Sequence, residues 1–505
     1  MTKWTLAGST ALATLAFGGM AQAQVTPEQV WQNWKDLSAT YGQQMSATRE
    51  SRNGDTFSVE GLRIVAEQEG VLVVAEIDDV DFTDLGDGTV EITMSPAYPM
   101  TITVDPEEGE TEQTIIEVAI SQPGLSVIAG GSAAETSYDF SAPTVNLKVE
   151  GIDGVDAAAV DLTVDVTFTG LAGSYLISGT GTREMTSAFS ADSMAMAIAA
   201  KDPDTSSSFD MTATVAALEG TSDSTLVEGA MDMAELTDAL RAGFAASGGF
   251  TYGKTAFAMD FVDPTDSFKA SGAAETGSFT FGLDEGSMAY GAGGTGVTMT
   301  VSGAQIPFPE LTASYAEAGF DLLMPISKSD VAEDFRFVTR LVGLTVSDAL
   351  WGMFDPGNVL PRDPATLVLD TSGRARLDYD IMDPAQAEAM ASGAPGDLES
   401  LDVNELKLTV GGAELTGAGA FTFDNTDLVT FDGMPAPTGT LNLKLVGGNG
   451  LLDKLVQMGL IPDDQAMGAR MMMGMFARPG DGVDTLTSTI EFKDKGLYAN
   501  GQRLQ

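Results

Sequence analysis

Most of the chain alternates apolar and polar residues with a period of two, and this pattern limits what it can fold into. Between residues 56 and 148 the alternating segments are separated by short turns rich in glycine and acidic residues, such as 68–70 and 86–88. Period-two alternation places every second side chain on one face of a strand, and short turns join antiparallel neighbours. The same texture returns after residue 160. We therefore predict a mainly β fold of long antiparallel meanders that form twisted or groove-like sheets, with a few short capping α-helices.

Helical spacing of apolar residues interrupts the alternation at a few places. The first predicted helix begins after Thr26 and runs to about Gln44, with Pro27 at its first position. Its apolar residues are Val30, Trp34, Leu37, Tyr41 and Met45, beside Trp31. This helix either covers the open end of a sheet or docks on a membrane or partner, and the scarcity of positive charge on its polar face favours the first role.

Four more helical regions are predicted further along the chain, at residues 233–244, 328–354, 382–391 and 449–476. In the region 328–354 the spacing predicts two helices, the first of which places Val331, Phe335, Val338 and Leu341 on one face. The organisation that follows is an N-terminal helix and β-meander half at 24–245. A C-terminal β half at 246–505 carries helical insertions at 328–354 and 449–476.

Residues 1–23 have the pattern of a secretory signal peptide. Lys3 precedes an apolar run, and Ala21, Gln22 and Ala23 form a small-residue cleavage site. We expect cleavage after Ala23 and a periplasmic location. No later segment approaches the roughly 20 uninterrupted apolar residues that a membrane helix needs, so no transmembrane segment is expected after cleavage.

The composition excludes several kinds of chemistry. The 505 residues include 25 basic and 73 acidic side chains, for a net charge of −48, with no cysteine and no histidine. A field this negative repels nucleic acid and anionic lipid headgroups, so nucleic acid is not an expected partner. Without cysteine or histidine the chain cannot form disulfides, thiolate or imidazole metal sites, or a Ser-His-Asp triad. The sequence assigns no catalytic residue, cofactor or metal site.

A methionine-rich segment at 463–478 offers the most distinctive candidate surface. Two acidic residues open a predicted helix there, and its apolar stripe consists of Met467, Met471, Met472, Met475 and Phe476. Methionine is flexible and polarisable, so such a stripe can contact variable apolar ligands. The simpler interpretation is that this helix packs on the sheet.

Two acidic clusters raise the question of calcium binding. The first includes Asp78, Asp79, Asp81, Asp84 and Asp87, and the second includes Asp424, Asp427 and Asp432. Calcium prefers such oxygen ligands, but neither cluster has EF-hand spacing. In a chain this acidic, solvated loops are the favoured interpretation.

Four segments of the C-terminal part carry a family resemblance. They read TVSDALWGMFDPGNVLPRDPATL, LTGAGAFTFDNTDLVTFDGMPAPTG, LLDKLVQMGLIPDDQAMGARMMMGMFARPG and DTLTSTIEFKDKGLYANGQRL. Together they resemble the exported "domain of unknown function" family twenty-one twenty-five of Gram-negative bacteria, most specifically from about Ser327 to the end. The resemblance implies a periplasmic or envelope location and no known activity. A looser analogy, at the level of fold alone, is to large envelope proteins that form a long β-groove for lipid.

The sequence therefore predicts a non-enzymatic periplasmic β-rich binding or scaffold protein that can hold an apolar or lipid-like ligand. The alternative is a carboxylate-dependent hydrolase that acts on envelope glycans, because paired acids can carry such chemistry without histidine.

Overall fold

The computed structural model describes residues 24–68, 70–106, 113–132, 134–154, 161–179, 182–202, 205–227, 236–386 and 395–505. The expected signal peptide at 1–23 lies outside these residues. The helices within them are α1 (Pro27–Thr40), α2 (Leu236–Arg241), α3 (Asp348–Phe354), α4 (Gly448–Gln457), α5 (Asp463–Phe476) and a 3-10 helix (Pro384–Gln386). None of the described helices combines the length and the hydropathy needed to cross a bilayer.

The strands of the first half of the described chain are β1 (Gln44–Ser46), β2 (Arg49–Asn53), β3 (Thr56–Gln68), β4 (Val71–Asp84), β5 (Val90–Met94), β6 (Ala97–Val104), β7 (Thr114–Ser121), β8 (Ser126–Ser132), β9 (Glu135–Asp153), β10 (Asp161–Ser178), β11 (Arg183–Lys201), β12 (Ser208–Leu226), β13 (Ala245–Tyr252) and β14 (Thr255–Asp263). The remaining strands are β15 (Asp266–Ala274), β16 (Thr276–Leu283), β17 (Ser287–Gly303), β18 (Leu311–Pro325), β19 (Glu333–Val346), β20 (Ala365–Leu377), β21 (Gly396–Val410), β22 (Ala413–Asp424), β23 (Ala436–Val446), β24 (Arg478–Pro479), β25 (Thr485–Lys493), β26 (Gly496–Ala499) and β27 (Gln502–Arg503).

All of these strands belong to one antiparallel sheet, which confirms the mainly β prediction. Strands pair in an order that closely follows the chain. At several places two short strands lie end to end against one longer neighbour. They are β1 and β2 on β3, β5 and β6 on β4, β7 and β8 on β9, β13 and β14 on β12, β15 and β16 on β17, and β24 and β26 on β25. The sheet also continues across residues 245 and 246, because β12 pairs with both β13 and β14.

A line of kinks crosses the middle of the strands. Several long strands contain a residue with positive φ where the hydrogen-bonded ladder skips one or two positions: Gly61, Gly170, Ala217, Gly296 and Gly343. The breaks between β13 and β14 and between β15 and β16 fall on the same line. Glycine kinks and ladder interruptions bend strands and increase their twist. The sheet is therefore bent along its length, and we call this line the crease.

The sheet wraps its first strands around α1. The helix begins with a capping box formed by Thr26 and Gln29. Val30 and Trp31 pack in one buried cluster with residues on both sides of the crease, including Val59 and Leu62 of β3. Helix α2 closes the neighbouring edge, where Leu240 packs with Ile326 in a second cluster. Helix α1 thus covers one end of the sheet, which is its favoured role, and α2 covers one edge.

Several boundary predictions need correction. The predicted helical insertion at 328–354 is wrong for most of its length: residues 333–346 form β19, and only α3 is helical. Helix α1 ends at Thr40, because Gly42 adopts a positive φ and Gln44 enters β1. The 3-10 helix stands where a helix at 382–391 is predicted, and residues 387–394 lie outside the described part. The insertion at 449–476 is confirmed as α4 and α5.

Candidate functional site

The two faces of the sheet differ in chemistry, and strand register shows which side chains share a face. Residues paired across antiparallel strands point to the same side. One row of paired residues runs from β9 to β25: Phe140, Gly173, Phe189, Gly220, Phe250, Phe279, Ala292, Phe320, Thr339, Leu369, Leu406, Gly417, Leu443 and Ser488. We call the side that carries this row the apolar face, and the opposite side the polar face.

A second row on the apolar face runs beside the first. From β9 to β25 it consists of Tyr138, Tyr175, Ser187, Ser222, Gly248, Phe281, Tyr290, Leu322, Phe337, Thr371, Val403, Gly419, Leu441 and Ile490. Within the described strands β10 to β23, charged side chains on this face occur only at strand ends: Arg183, Asp263, Asp266 and Glu333. The apolar face therefore offers no charge along its middle.

Aromatic rings connect the strands in the centre of the apolar face. Phe279 lies 5.2 Å from Phe250 and 5.1 Å from Tyr290, measured between ring centroids. Tyr290 lies 6.2 Å from Phe320, which in turn lies 5.6 Å from Phe337. These separations suit stacked and edge-to-face contacts, which contribute about 0.5–1.5 kcal/mol per pair beyond area burial. Five strands, β13 and β16 to β19, thus share one aromatic row.

Glycines on the apolar face make room for neighbouring rings. A Cβ atom built on Gly220 would lie 2.3 Å from the Phe189 ring, and one built on Gly272 would lie 2.3 Å from the Phe257 ring. Gly277 has the same relation to Tyr252. Each ring therefore lies across the strand beside it, which joins separate strands into a continuous apolar surface.

This surface is partly open to solvent. The exposed fraction is 37% for Phe250, 43% for Tyr290 and 40% for Leu408. Helices α1 and α2 cover the end near β3 to β11 and one edge, where Met185, Met288 and Met324 pack against the α2 cluster. The middle of the apolar face keeps large apolar side chains exposed. Such contiguous exposure on a water-facing protein marks a surface that contacts something else.

The apolar face is rich in methionines, which the helical spacing of methionines in the sequence does not indicate. They are Met185, Met194, Met196, Met211, Met259, Met288, Met299 and Met324. The available signal was the period-two spacing within strands, as in Met194, Met196 and Ile198. Helical spacing of methionines, by contrast, occurs in α5.

The predicted methionine stripe lies on α5, away from the centre of the sheet. Met467, Met471, Met472 and Met475 are exposed, as is Phe476 at the end of the helix. The packing interpretation of this stripe is wrong, because Ala466, and not a methionine, is the buried residue of the helix. The carbonyl oxygen of Phe476 accepts hydrogen bonds from Ser488 Oγ and from Asn500 Nδ2 (2.9 Å). Since Ser488 belongs to the first row, α5 ends beside the apolar face.

The acidic clusters hold loops in place. The Asp87 carboxylate accepts hydrogen bonds from the Thr89 hydroxyl (2.6 Å) and backbone, which lower its pKa. In the second cluster, Asp427 accepts a hydrogen bond from Lys495 Nζ (2.7 Å), and this contact is the largest cause of the lowered pKa of Asp427. Among the residues that the structure describes, no group of three or more acidic side chains is arranged to hold a metal ion.

The polar face carries shallow depressions. One, with a volume of about 700 Å³, is lined by small side chains such as Ser190, Thr221 and Thr280. Thr221 and Thr280 both pair with Gly249, which lies between them. Another, of about 730 Å³, extends to Asp321 and Arg340. Water can solvate the hydroxyl groups and charges of these depressions. The exposed apolar side chains of the opposite face are therefore the better candidates for contact with a ligand.

The sheet and its two faces define a mainly β protein with a single long antiparallel sheet that is apolar on one side. Residues 291–504, from within β17 to near the end of the chain, match the family described as "Uncharacterized protein conserved in bacteria (DUF2125)". This match agrees with the resemblance that the C-terminal segments show to the same family. No curated protein matches the sequence.

Proposed function

We propose that the protein is a non-enzymatic periplasmic binding protein whose apolar face holds the hydrocarbon chain of a lipid. The observation that carries the proposal is the pair of uncharged rows that cross the sheet with their aromatic centre exposed. The signal-like segment at 1–23 supports an exported location. A scaffold without a ligand would leave the two apolar rows exposed to water.

Exposed apolar area has a free-energy cost that a lipid would remove. Each Å² of apolar surface taken out of water contributes roughly 25 cal/mol. From β12 onward the two rows cross ten strands, namely β12, β13 and β16 to β23. At about 4.8 Å between neighbouring strands, the open part of the face is roughly 45 Å long. A flexible, uncharged hydrocarbon chain matches a surface of this length that carries no charge along its middle.

The side-chain types on the apolar face favour a ligand of variable structure. Methionine side chains adapt to different apolar shapes, and aromatic rings laid on glycines give a smooth surface. Charges at strand ends, such as Arg183 and Asp263, stand where a polar headgroup would leave the sheet. We infer that the chain, and not the headgroup, supplies most of the binding free energy.

No observation favours the glycan hydrolase. Such an enzyme needs a carboxylic acid with a raised pKa beside a second carboxylate. Among the described carboxyl groups with a shifted pKa, hydrogen bonds lower the value, as at Asp380, Asp424 and Asp427. We therefore propose binding alone.

Binding of fluorescently labelled palmitate to the purified protein tests this function. Tyr290→Asp and Leu408→Asp each place a carboxylate on the apolar face at a position already exposed to water, so folding is expected to persist. Burying that charge against hydrocarbon is unfavourable by more than about 1.4 kcal/mol, so we expect affinity to fall at least tenfold.

Ser278→Asp is the matched control, because Ser278 is exposed on the polar face and pairs with Thr251. It should bind palmitate as the unmodified protein does. Failure of the unmodified protein to bind palmitate, or equal binding by all three variants, would contradict the proposed function.

A further inference from the structure

Helix α5 has its apolar side turned outward. Ala466 is buried and Ala469, Arg470 and Met473 are partly buried, so this alanine-rich side faces the protein, where Arg470 pairs with Asp453 of α4. The opposite side carries the methionine stripe, with Met471 68% and Met475 56% exposed. A helix normally buries its apolar stripe and exposes its charges. This arrangement leaves the methionine stripe free to contact a second surface.

Beyond its first turn, the outer side of α5 carries no charged side chain. After Asp463 and Asp464 at its N-terminus, residues 465–480 contain Arg470 and Arg478 and no acidic residue. Arg470 lies on the protein-facing side, where it pairs with Asp453, so the outer side is apolar and uncharged. An apolar side of this kind can enter the apolar region of a bilayer.

The position of α5 connects it with the apolar face. Its last carbonyl accepts a hydrogen bond from Ser488 Oγ, and Ser488 continues the first row next to Leu443. Arg478 donates a hydrogen bond to the carbonyl oxygen of Asn500, which fixes the chain after the helix to the final hairpin. The outward methionines therefore lie at the end of the sheet opposite to α1.

We propose that α5 docks the protein on a bilayer surface, with the methionine stripe inserted among the lipid chains at the end of the apolar face. The inference rests on the proposed function, because a face that binds lipid chains needs a place where lipids enter or leave. A helix of 14 residues is about 21 Å long and lies along the surface rather than across it. Insertion is driven by apolar contact, so uncharged headgroups suffice.

A second copy of the chain fits this surface less well. Two molecules with a net charge of −48 repel one another, whereas a zwitterionic bilayer carries no net charge. The stripe is also narrow, since it is formed by one side of one helix, and stable interfaces bury about 800 Å² per partner. A bilayer has no such minimum, because insertion strength grows with each apolar side chain.

Flotation with vesicles of phosphatidylcholine and phosphatidylethanolamine tests the docking. The double variant Met471→Gln/Met475→Gln keeps side-chain length and helix propensity but makes the stripe polar. We expect the unmodified protein to float with vesicles and the variant to lose at least nine-tenths of this binding. Met353→Gln/Met434→Gln changes two methionines that are equally exposed elsewhere and should float normally.

Parallel measurements separate this inference from the proposed function. Labelled palmitate binding is measured without vesicles, and molar mass is measured by light scattering. Palmitate binding by an unmodified protein that does not float would overturn the docking and leave the proposed function intact. Flotation without palmitate binding would do the reverse. A protein that does not float but forms dimers, with Met471→Gln/Met475→Gln monomeric, would assign the stripe to a second copy and overturn the docking.

Discussion

Single residues determine how smooth the apolar face is. Gly220 lies between Phe189 and Phe250 in the first row, and the Phe189 ring occupies the space where its side chain would be. In a strand interior, glycine normally weakens the structure because it has no side chain to pack. Here the ring of the neighbouring strand supplies that packing, so glycine is the residue that fits.

We expect Gly220→Ala to lower the stability of the protein. The new Cβ atom would lie 2.3 Å from the Phe189 ring, and inserting a methyl group into such a contact costs about 1–3 kcal/mol. Thermal unfolding followed by circular dichroism measures the effect. Gly319→Ala on β18 is the control. Its Cβ atom would meet no atom closer than 3.8 Å, so this variant should not lower the stability of the protein. Equal midpoints for the two variants would contradict the ring-on-glycine packing.

Residue-level features of this kind were only partly accessible from the sequence. Alternation showed that residues such as Phe279 and Phe281 share a face, but not which residue of the next strand each one meets. Register depends on turn geometry and on the crease, where each ladder skips a position. Gly220 and Phe189 are 31 positions apart, and no local pattern indicates their contact.

At the scale of elements, ion pairs fasten α2 to the segment between β20 and β21. Arg241 Nη2 donates hydrogen bonds to Asp380 (2.7 Å) and Asp383 (3.3 Å), and the Thr237 hydroxyl donates to the Met382 carbonyl (2.8 Å). The Arg241 contact is the largest cause of the lowered pKa of Asp380, whereas Gln386 is the largest for Asp383.

The lowered pKa values give this contact a pH dependence of definite sign. A carboxyl group whose pKa is lower in the folded state stabilises the fold above its ordinary pKa, and that stabilisation is lost as pH falls through the folded value. We expect Arg241→Met to unfold at a lower temperature than the unmodified protein at pH 7, with the difference shrinking below about pH 4, near the ordinary pKa of aspartate. Thermal unfolding across this pH range measures it.

Lys254→Met removes a highly exposed ion pair to Glu275 and serves as the control, because such surface pairs contribute little. A difference between Arg241→Met and the unmodified protein that stayed constant from pH 7 to pH 3 would show that the ion pairs do not hold α2.

The failed helix prediction in 328–354 has a physical explanation. In β19 the residues Phe335, Val338 and Leu341 recur at intervals of three, which imitates one side of a helix. The strand register places Phe335 and Leu341 on the apolar face. Val338 lies on the polar face, where it is buried between Arg336 and Arg340 in the sequence of that side. Strands that are partly apolar on both sides produce this ambiguity, and β-branched residues should have favoured a strand.

At the scale of the whole molecule, the one-sided sheet could be predicted and its continuity could not. Alternation and short turns indicated antiparallel meanders. The joining of all described strands into one sheet depends on pairings such as β12 with β13 and β14, which turn signals near residue 245 do not distinguish from a break between halves. The same limit hid the surface of α5, since helical spacing identifies an apolar side but not whether anything covers it.

Photocrosslinking in Gram-negative cells tests the central claim, that the apolar face holds lipid chains. The photoreactive residue p-benzoylphenylalanine is placed at Tyr290 or Leu408 on the apolar face, and at Ser278 or Thr251 on the polar face. After irradiation, mass spectrometry of the purified protein is expected to show lipid adducts at Tyr290 and Leu408 and none at Ser278 or Thr251. Absence of lipid adducts at both apolar-face positions, or equal adducts on the two faces, would contradict the account.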